Sequence, residues 1–195
     1  MYNIETIFAV PGSGQSVYTL RFKEESYANS NDNELYKVFR QWQDGEYLSR
    51  FFRANKTNLE AYYGKGMTSL RAMERTLDES HKLFKKLIAA LSDAEAGNFS
   101  PLSQLFTNVD DSPRFSDYVE QKIKRSWLRL FAVRTDDGLF FITGGAIKLT
   151  ASLQGDNPHD PPQTDKELKK ARAVAKYFRE VVDKDKFYEV YEMII

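Results

Sequence analysis

The pattern of apolar and polar residues divides the chain into strands near both ends of the sequence and helices between them. Two apolar runs, IETIFAV and VYTLRF, flank the turn-forming segment PGSGQ, which predicts an opening β-hairpin. Apolar residues then recur at helical spacing, so a helix is predicted from about Glu34, capped by Asn31 or Asp32 and ended or interrupted at Gly45. A second, shorter helix is predicted in EYLSRFFRANKTNLEAYYG, and a long amphipathic helix over residues 68–91.

A second hairpin is predicted where the sequence reads WLRLFAVRTDDGLFFIT. Asp137-Gly138 is a strong turn signal, because glycine accepts the positive φ that tight turns demand. The return strand, LFFIT, is continuously apolar, which predicts a central strand buried on both faces. Gly144-Gly145 follows it and predicts either a bulge or a place where the backbone approaches another element closely.

A helix is also predicted near the end of the sequence. TDKE has the form of a capping box, with Thr164 as N-cap and Glu167 three positions later. The spacing predicts an apolar face and a basic face, and a last short element that docks on the core. The apolar face comprises Leu168, Ala171, Ala175, Phe178 and Val182, the basic face Lys166, Lys169, Lys170, Arg172, Lys176 and Arg179, and the docking residues Phe187, Tyr191 and Ile194.

The order of elements is strand pair, helices, hairpin, helix. Because strands and helices are segregated and do not alternate, the expected class is α+β, with an antiparallel β-sheet, N-terminal helices packed on it and a C-terminal helix. A chain of 195 residues fits one domain, 1–195. Within it, residues 1–110 hold the first hairpin and the helical region, and residues 111–195 hold the antiparallel sheet and the last helix.

Composition narrows the chemistry. The 28 basic and 28 acidic residues balance, so nothing draws the chain as a whole toward nucleic acid or anionic lipid. There is no cysteine and there are only two histidines, so neither a metal nor any other cofactor is expected. No apolar run reaches the roughly 20 residues of a membrane span, and no signal peptide is recognisable, so a cytoplasmic protein without membrane contact is expected.

Basic residues are concentrated before and within the second hairpin. Between Pro113 and Arg134 there are six basic residues against two acidic ones, and Lys148 follows one strand later. Arginine can hold phosphate oxygens bidentately and lysine can stabilise developing negative charge, so the cluster suits a phosphodiester substrate. A solvated sheet edge, protected by its charges against pairing with other chains, is the alternative.

The run RLFAVRTDDGLFFITGGAIKLT, followed by a polar loop and TDKELKKARAVAKYFRE, resembles the C-terminal half of RelE/HigB-type toxins over about residues 123–180. The resemblance implies a small α+β fold and metal-independent ribonuclease activity on mRNA, often at the ribosome, neutralised by a cognate antitoxin protein. In that family the 2′-hydroxyl of the RNA is the nucleophile and basic side chains polarise the phosphate. By position, Arg129 and Lys148 would be catalytic, while Lys124, Arg125 and Arg134 would bind RNA.

A non-catalytic protein-interaction module on the same fold is the alternative function, and a homodimer is left open. Geometry separates the two functions. Arg129, Lys148 and a third basic residue converging on one open face would favour the nuclease. Dispersed basic groups, or carboxylates that neutralise them, would favour the interaction module.

Overall fold

The computed structural model describes residues 2–14, 16–109, 126–149 and 162–193, with the backbone alone at Tyr62 and Pro162. The strands of this described part are β1 (Ile4–Ala9), β2 (Val17–Phe22), β3 (Phe106–Asn108), β4 (Leu128–Thr135), β5 (Phe140–Ile147) and β6 (Tyr188–Met193). Its α-helices are α1 (Glu34–Gln43), α2 (Gly45–Ala54), α3 (Lys56–Tyr63), α4 (Ser69–Glu95), α5 (Ser100–Leu105) and α6 (Pro162–Tyr177). A π-helical turn, Phe178–Val182, continues α6.

The strands form one mixed sheet in the order β1-β2-β5-β4-β6-β3. The α+β class is confirmed, but the sheet is not purely antiparallel, because β2 runs parallel to β5. The helical segment between β2 and β4 provides the long crossover that a parallel neighbour requires, whereas β4 and β5 are joined by a tight turn and pair antiparallel. The first hairpin therefore extends the same sheet as the later strands.

Strand β5 lies in the middle of the sheet and is covered on both faces, as predicted. One face packs against α1, α2 and α4, with Phe140 and Ile142 in that core. The other face packs against α6 and includes Ala146. The predicted turn is confirmed as well, with Gly138 at a φ of 86° and its N–H donating to the Thr135 carbonyl over 3.0 Å.

The helical region follows the predicted pattern with different ends. Asn33, and neither Asn31 nor Asp32, caps α1, since its side-chain oxygen accepts from the Tyr36 N–H at 3.1 Å. Asp32 instead takes two hydrogen bonds from Arg40, at 2.6 and 2.7 Å. The predicted second helix is two helices, α2 and α3, which meet at Asn55. The long helix α4 runs to Glu95, four residues beyond its predicted end.

Gly144 and Gly145 are both a bulge and a close approach. The β4–β5 register shifts between Phe131 and Ala132, which pair with Gly144 and Ile142 and leave Thr143 as the extra residue. A Cβ on Gly145 would lie 2.8 Å from the Val38 side chain of α1. On the opposite face, a Cβ on Gly144 would lie 1.9 Å from Glu167 Oε2 and 2.9 Å from Lys170 Nζ.

Three predictions for the last helix are wrong. It begins at Pro162, a favoured first helical residue, so Thr164 lies inside the helix and is not its N-cap. Lys170, assigned by spacing to the solvated face, is completely buried, because it has two carboxylate partners there. Val182 is 60% exposed, because the π-turn, with its Asp183 N–H to Phe178 carbonyl bond of 3.1 Å, shifts the helical phase.

The segment after this helix is strand β6, inserted between β4 and β3. Tyr191 packs on the core, whereas Phe187 is 74% exposed and does not dock. Ile194 lies outside the described residues. In the described part of the chain, no helix is both long and apolar enough to cross a membrane.

Lys170 belongs to a buried ion network that joins α6 to α1. Its ammonium lies 2.8 Å from Glu34 Oε2 and 2.6 Å from Glu167 Oε2. Burial raises the pKa of Glu167, and the attraction of Lys170 acts against it. Lys37 extends the network, since it bonds Glu34 at 3.0 Å and Glu25 at 2.6 Å.

Replacement of Gly144 by alanine should destabilise the protein. The new Cβ would collide with Glu167 at a φ of 150°, where only glycine is unstrained. We expect a loss of roughly 2–3 kcal/mol in the free energy of unfolding, measured by urea denaturation. Gly45→Ala is the control, because a Cβ there meets nothing within 4 Å. Equal midpoints for the two variants would contradict this account.

Glu25 should make the stability depend on acid pH. Burial opposes its ionisation, but hydrogen bonds from Lys166 and Lys37 outweigh burial and hold its pKa at about 2, below the usual 4.5. This stabilisation is therefore present above about pH 4.5 and is lost as the pH falls toward about 2. In Glu25→Gln the free energy of unfolding should fall less steeply over that range. Glu46→Gln, at a carboxylate that is 78% exposed, should keep the wild-type slope.

Candidate functional site

Charged and hydroxyl side chains gather at the end of the β4–β5 hairpin that lies opposite its turn. We call them the hairpin-end cluster. It comprises Tyr63, Arg75, Glu79, Ser126, Arg129, Lys148 and Glu192, contributed by α3, α4, the hairpin with its two flanking residues, and β6.

Arg129 is held in place by its own strand and by β6. Its Nη1 donates to the Ser126 carbonyl at 2.7 Å and to the Leu128 carbonyl at 2.9 Å. Its Nε lies 3.2 Å from Glu192 Oε2, and both side chains are about nine-tenths buried. That oxygen of Glu192 accepts no hydrogen bond from the described residues, so charge attraction holds the pair.

Glu79 of α4 anchors the start of β4. Its Oε1 accepts from Arg75 Nε at 2.6 Å, and its Oε2 accepts from Ser126 Oγ at 2.6 Å and from the Trp127 N–H at 3.1 Å. The Arg75 guanidinium lies 4.3 Å from the Trp127 ring centroid. One buried carboxylate therefore positions both an arginine and the strand that carries Arg129.

Tyr63, the last residue of α3, adds a hydroxyl to the cluster. Burial raises the pKa of its phenol, and the positive charges of Arg75 and Arg129 act in the opposite direction. The phenol is therefore protonated at neutral pH and lies within electrostatic reach of both arginines.

Lys148 lies at the same hairpin end as Arg129. Its backbone N–H donates to the Trp127 carbonyl at 2.8 Å, one step beyond the Leu128–Ile147 pair of the ladder. The cluster thus combines three cationic side chains with two carboxylates, which leaves it locally positive in a chain of zero net charge.

The structure brings together two of the five residues predicted for the site. Arg134 lies five residues along β4 from Arg129, about 17 Å away, and alternation puts it on the opposite face of the sheet. There its guanidinium lies 5.4 Å from the Phe140 ring centroid and 5.6 Å from that of Tyr191. Lys124 and Arg125 lie outside the described residues, although Arg125 directly precedes Ser126.

The sequence did not single out Tyr63, Arg75, Glu79 or Glu192. Arg75 and Glu79 are one turn apart on α4, a common surface ion-pair spacing that carries no signal of function. Only the approach of α4 to the hairpin makes this pair part of the cluster. Within the described residues, no group of three histidine, aspartate or glutamate side chains could hold a metal ion.

Comparison of the chain with protein-family models, with curated proteins and with solved structures finds no match in any of the three.

Removal of the Glu79 carboxylate should loosen the whole cluster. In Glu79→Ala, the Ser126 hydroxyl and the Trp127 N–H lose their buried acceptor. We expect a loss of roughly 3 kcal/mol in the free energy of unfolding, measured in urea. Asp78→Ala is the matched control, because its ion pair with Lys82 is 62% exposed on both sides and should cost about 0.5 kcal/mol or less. A similar loss in the two variants would argue against the anchor role of Glu79.

Proposed function

We propose that the chain is a cytoplasmic toxin of a toxin–antitoxin-like system, with a RelE-like fold, that cleaves mRNA at the hairpin-end cluster and is neutralised by a cognate antitoxin. One observation carries the proposal. Arg129 and Lys148, nineteen positions apart in sequence, lie at the same end of the central hairpin, where Arg75 joins them.

The reaction needs negative charge to be stabilised and protons to be moved. The 2′-oxygen of the RNA bonds to the adjacent phosphorus while the bond from phosphorus to the 5′-oxygen breaks, leaving a 2′,3′-cyclic phosphate and a 5′-hydroxyl. Arg129 and Lys148 stabilise the charge on the non-bridging oxygens. The proton of the 2′-hydroxyl must pass to a base, and the leaving oxygen must take one up.

Glu192 is the base that we assign. Its Oε2 accepts no hydrogen bond from the described residues and lies 3.2 Å from Arg129 Nε. A phosphate that binds Arg129 would therefore bring the 2′-hydroxyl close to this carboxylate. The protonated phenol of Tyr63, next to the same arginine, is the proton donor that we assign to the leaving oxygen.

The interaction module is the second candidate function, and a specific observation favours it. Arg129 and Arg75 each have a carboxylate partner, Glu192 and Glu79, and Arg134 is on the far face of the sheet. Ion pairs of this kind lower the attraction of the cluster for a phosphate, as expected of a surface that binds protein.

Induced expression in a bacterial host tests the choice. The wild-type protein should arrest growth, and Arg129→Gln/Lys148→Gln at the same protein level should relieve the arrest, because each lost charge contact costs about 10²–10³ in rate. Lys82→Gln/Lys85→Gln, which removes two exposed charges from α4, should arrest growth like the wild type. Normal growth with abundant soluble wild-type protein would favour the interaction module.

The Glu192→Gln variant separates the two roles of the cluster. Loss of a base should abolish cleavage of purified RNA, whereas loss of a negative charge beside Arg129 should strengthen RNA binding. Products should carry 2′,3′-cyclic phosphate ends. Cleavage at the wild-type rate by Glu192→Gln would remove this residue from the mechanism and leave Arg129 and Lys148 to be tested separately.

A further inference from the structure

We propose that a basic groove between α6 and β6 binds the phosphodiester backbone of single-stranded RNA and directs it to the hairpin-end cluster. This inference rests on the proposed function. The groove has a volume of about 560 Å³ and is lined on one side by Arg172, Lys176 and Arg179. Its other side includes Asn108, Tyr188 and Val190 of the sheet.

The three cations form a row along one face of the helix. They are spaced four and three residues apart, so neighbouring side chains start about 5–6 Å from each other. Lys176 and Arg179 are exposed and Arg172 is half-buried. A row of evenly spaced cations suits a ligand with regularly repeated negative charge.

Carboxylates near the groove only weakly oppose this charge. Lys176 lies 3.8 Å from Glu180, but both side chains are at least 60% exposed, and such pairs contribute little. Glu189 also lines the groove. Its carboxylate accepts hydrogen bonds of 3.1 Å from Asn108 and Tyr191, and Tyr191 packs in the core on the other face of the sheet.

The groove leads toward the candidate site. Val190 lines it, and Glu192, the partner of Arg129, is two residues further along β6 on the same face. This step along the strand is about 7 Å. A strand of RNA that follows the groove would reach the hairpin-end cluster without crossing the sheet.

The chemistry of the lining favours a single strand and predicts no base preference. A concave cationic groove that tracks the backbone is the common device of single-strand binding. Tyr188, the aromatic residue among the lining side chains, is buried and offers no open ring face for base stacking. Binding should therefore depend on backbone charge.

The test is fluorescence anisotropy with a short labelled 2′-O-methyl oligouridine, which keeps the backbone charge but lacks the nucleophile for cleavage. In Arg172→Gln/Lys176→Gln/Arg179→Gln, affinity at low salt should fall roughly tenfold or more. The slope of log affinity against log salt should become shallower by about 2, which is about 0.7 for each lost contact. The matched control is Lys82→Gln/Lys85→Gln/Lys86→Gln, which removes the same charge from exposed positions of α4 across the sheet and should bind within about twofold of wild type.

The outcomes separate this inference from the proposed function. An unchanged salt slope in the groove variant, an equal loss in the α4 control, or displacement of the RNA by a lower charge concentration of polyglutamate would each overturn the groove. Arrest that Arg129→Gln/Lys148→Gln still relieves would then leave the nuclease standing. Groove-dependent binding by a wild type that never cleaves unmodified RNA would support the groove and reject the nuclease.

Discussion

The structure depends on one thin place in its central strand. At Gly144 and Gly145, β5 has no side chains, and both faces of the sheet use the space. Val38 and Trp42 of α1 pack against Gly145, while Glu167 and Lys170 of α6 occupy the position where a side chain of Gly144 would lie. Both helical layers are therefore brought within contact of the same two residues, and the bulge at Thr143 accommodates the change in register.

The ion network above Gly144 makes this contact specific. A buried lysine is tolerable only with charged partners in good geometry, and Glu34 of α1 and Glu167 of α6 supply them. The Tyr27 hydroxyl donates to Glu34 at 2.5 Å and accepts from the Phe22 N–H at 3.0 Å, so the loop after β2 is included. Hydrophobic residues would fill the space as well, but they would not require these three elements to meet in one arrangement.

The hairpin-end cluster follows a different logic, since its charges are only partly compensated. Glu79 is satisfied by three donors and is a structural anchor. Glu192 has an oxygen that accepts no hydrogen bond from the described residues, and its partner Arg129 is also held by two backbone carbonyls. An arginine that is positioned by its backbone and only loosely paired can accept an anionic ligand without losing its place. This property supports the nuclease proposal and also explains why the interaction module stays in consideration.

The sequence by itself determined the local structure. Periodicity and turn signals were sufficient for both hairpins, the long helix α4 and the central position of β5, because these depend on residues near each other in the chain. It also indicated the importance of Gly144-Gly145 and the shared hairpin end of Arg129 and Lys148. Tertiary structure decided the rest. The burial of Lys170, the parallel pairing of β2 with β5 and the arrival of Arg75, Glu79 and Glu192 beside Arg129 depend on contacts between distant segments. Spacing along one helix cannot reveal such contacts, because a lysine on a polar face and a lysine facing two carboxylates have the same local pattern.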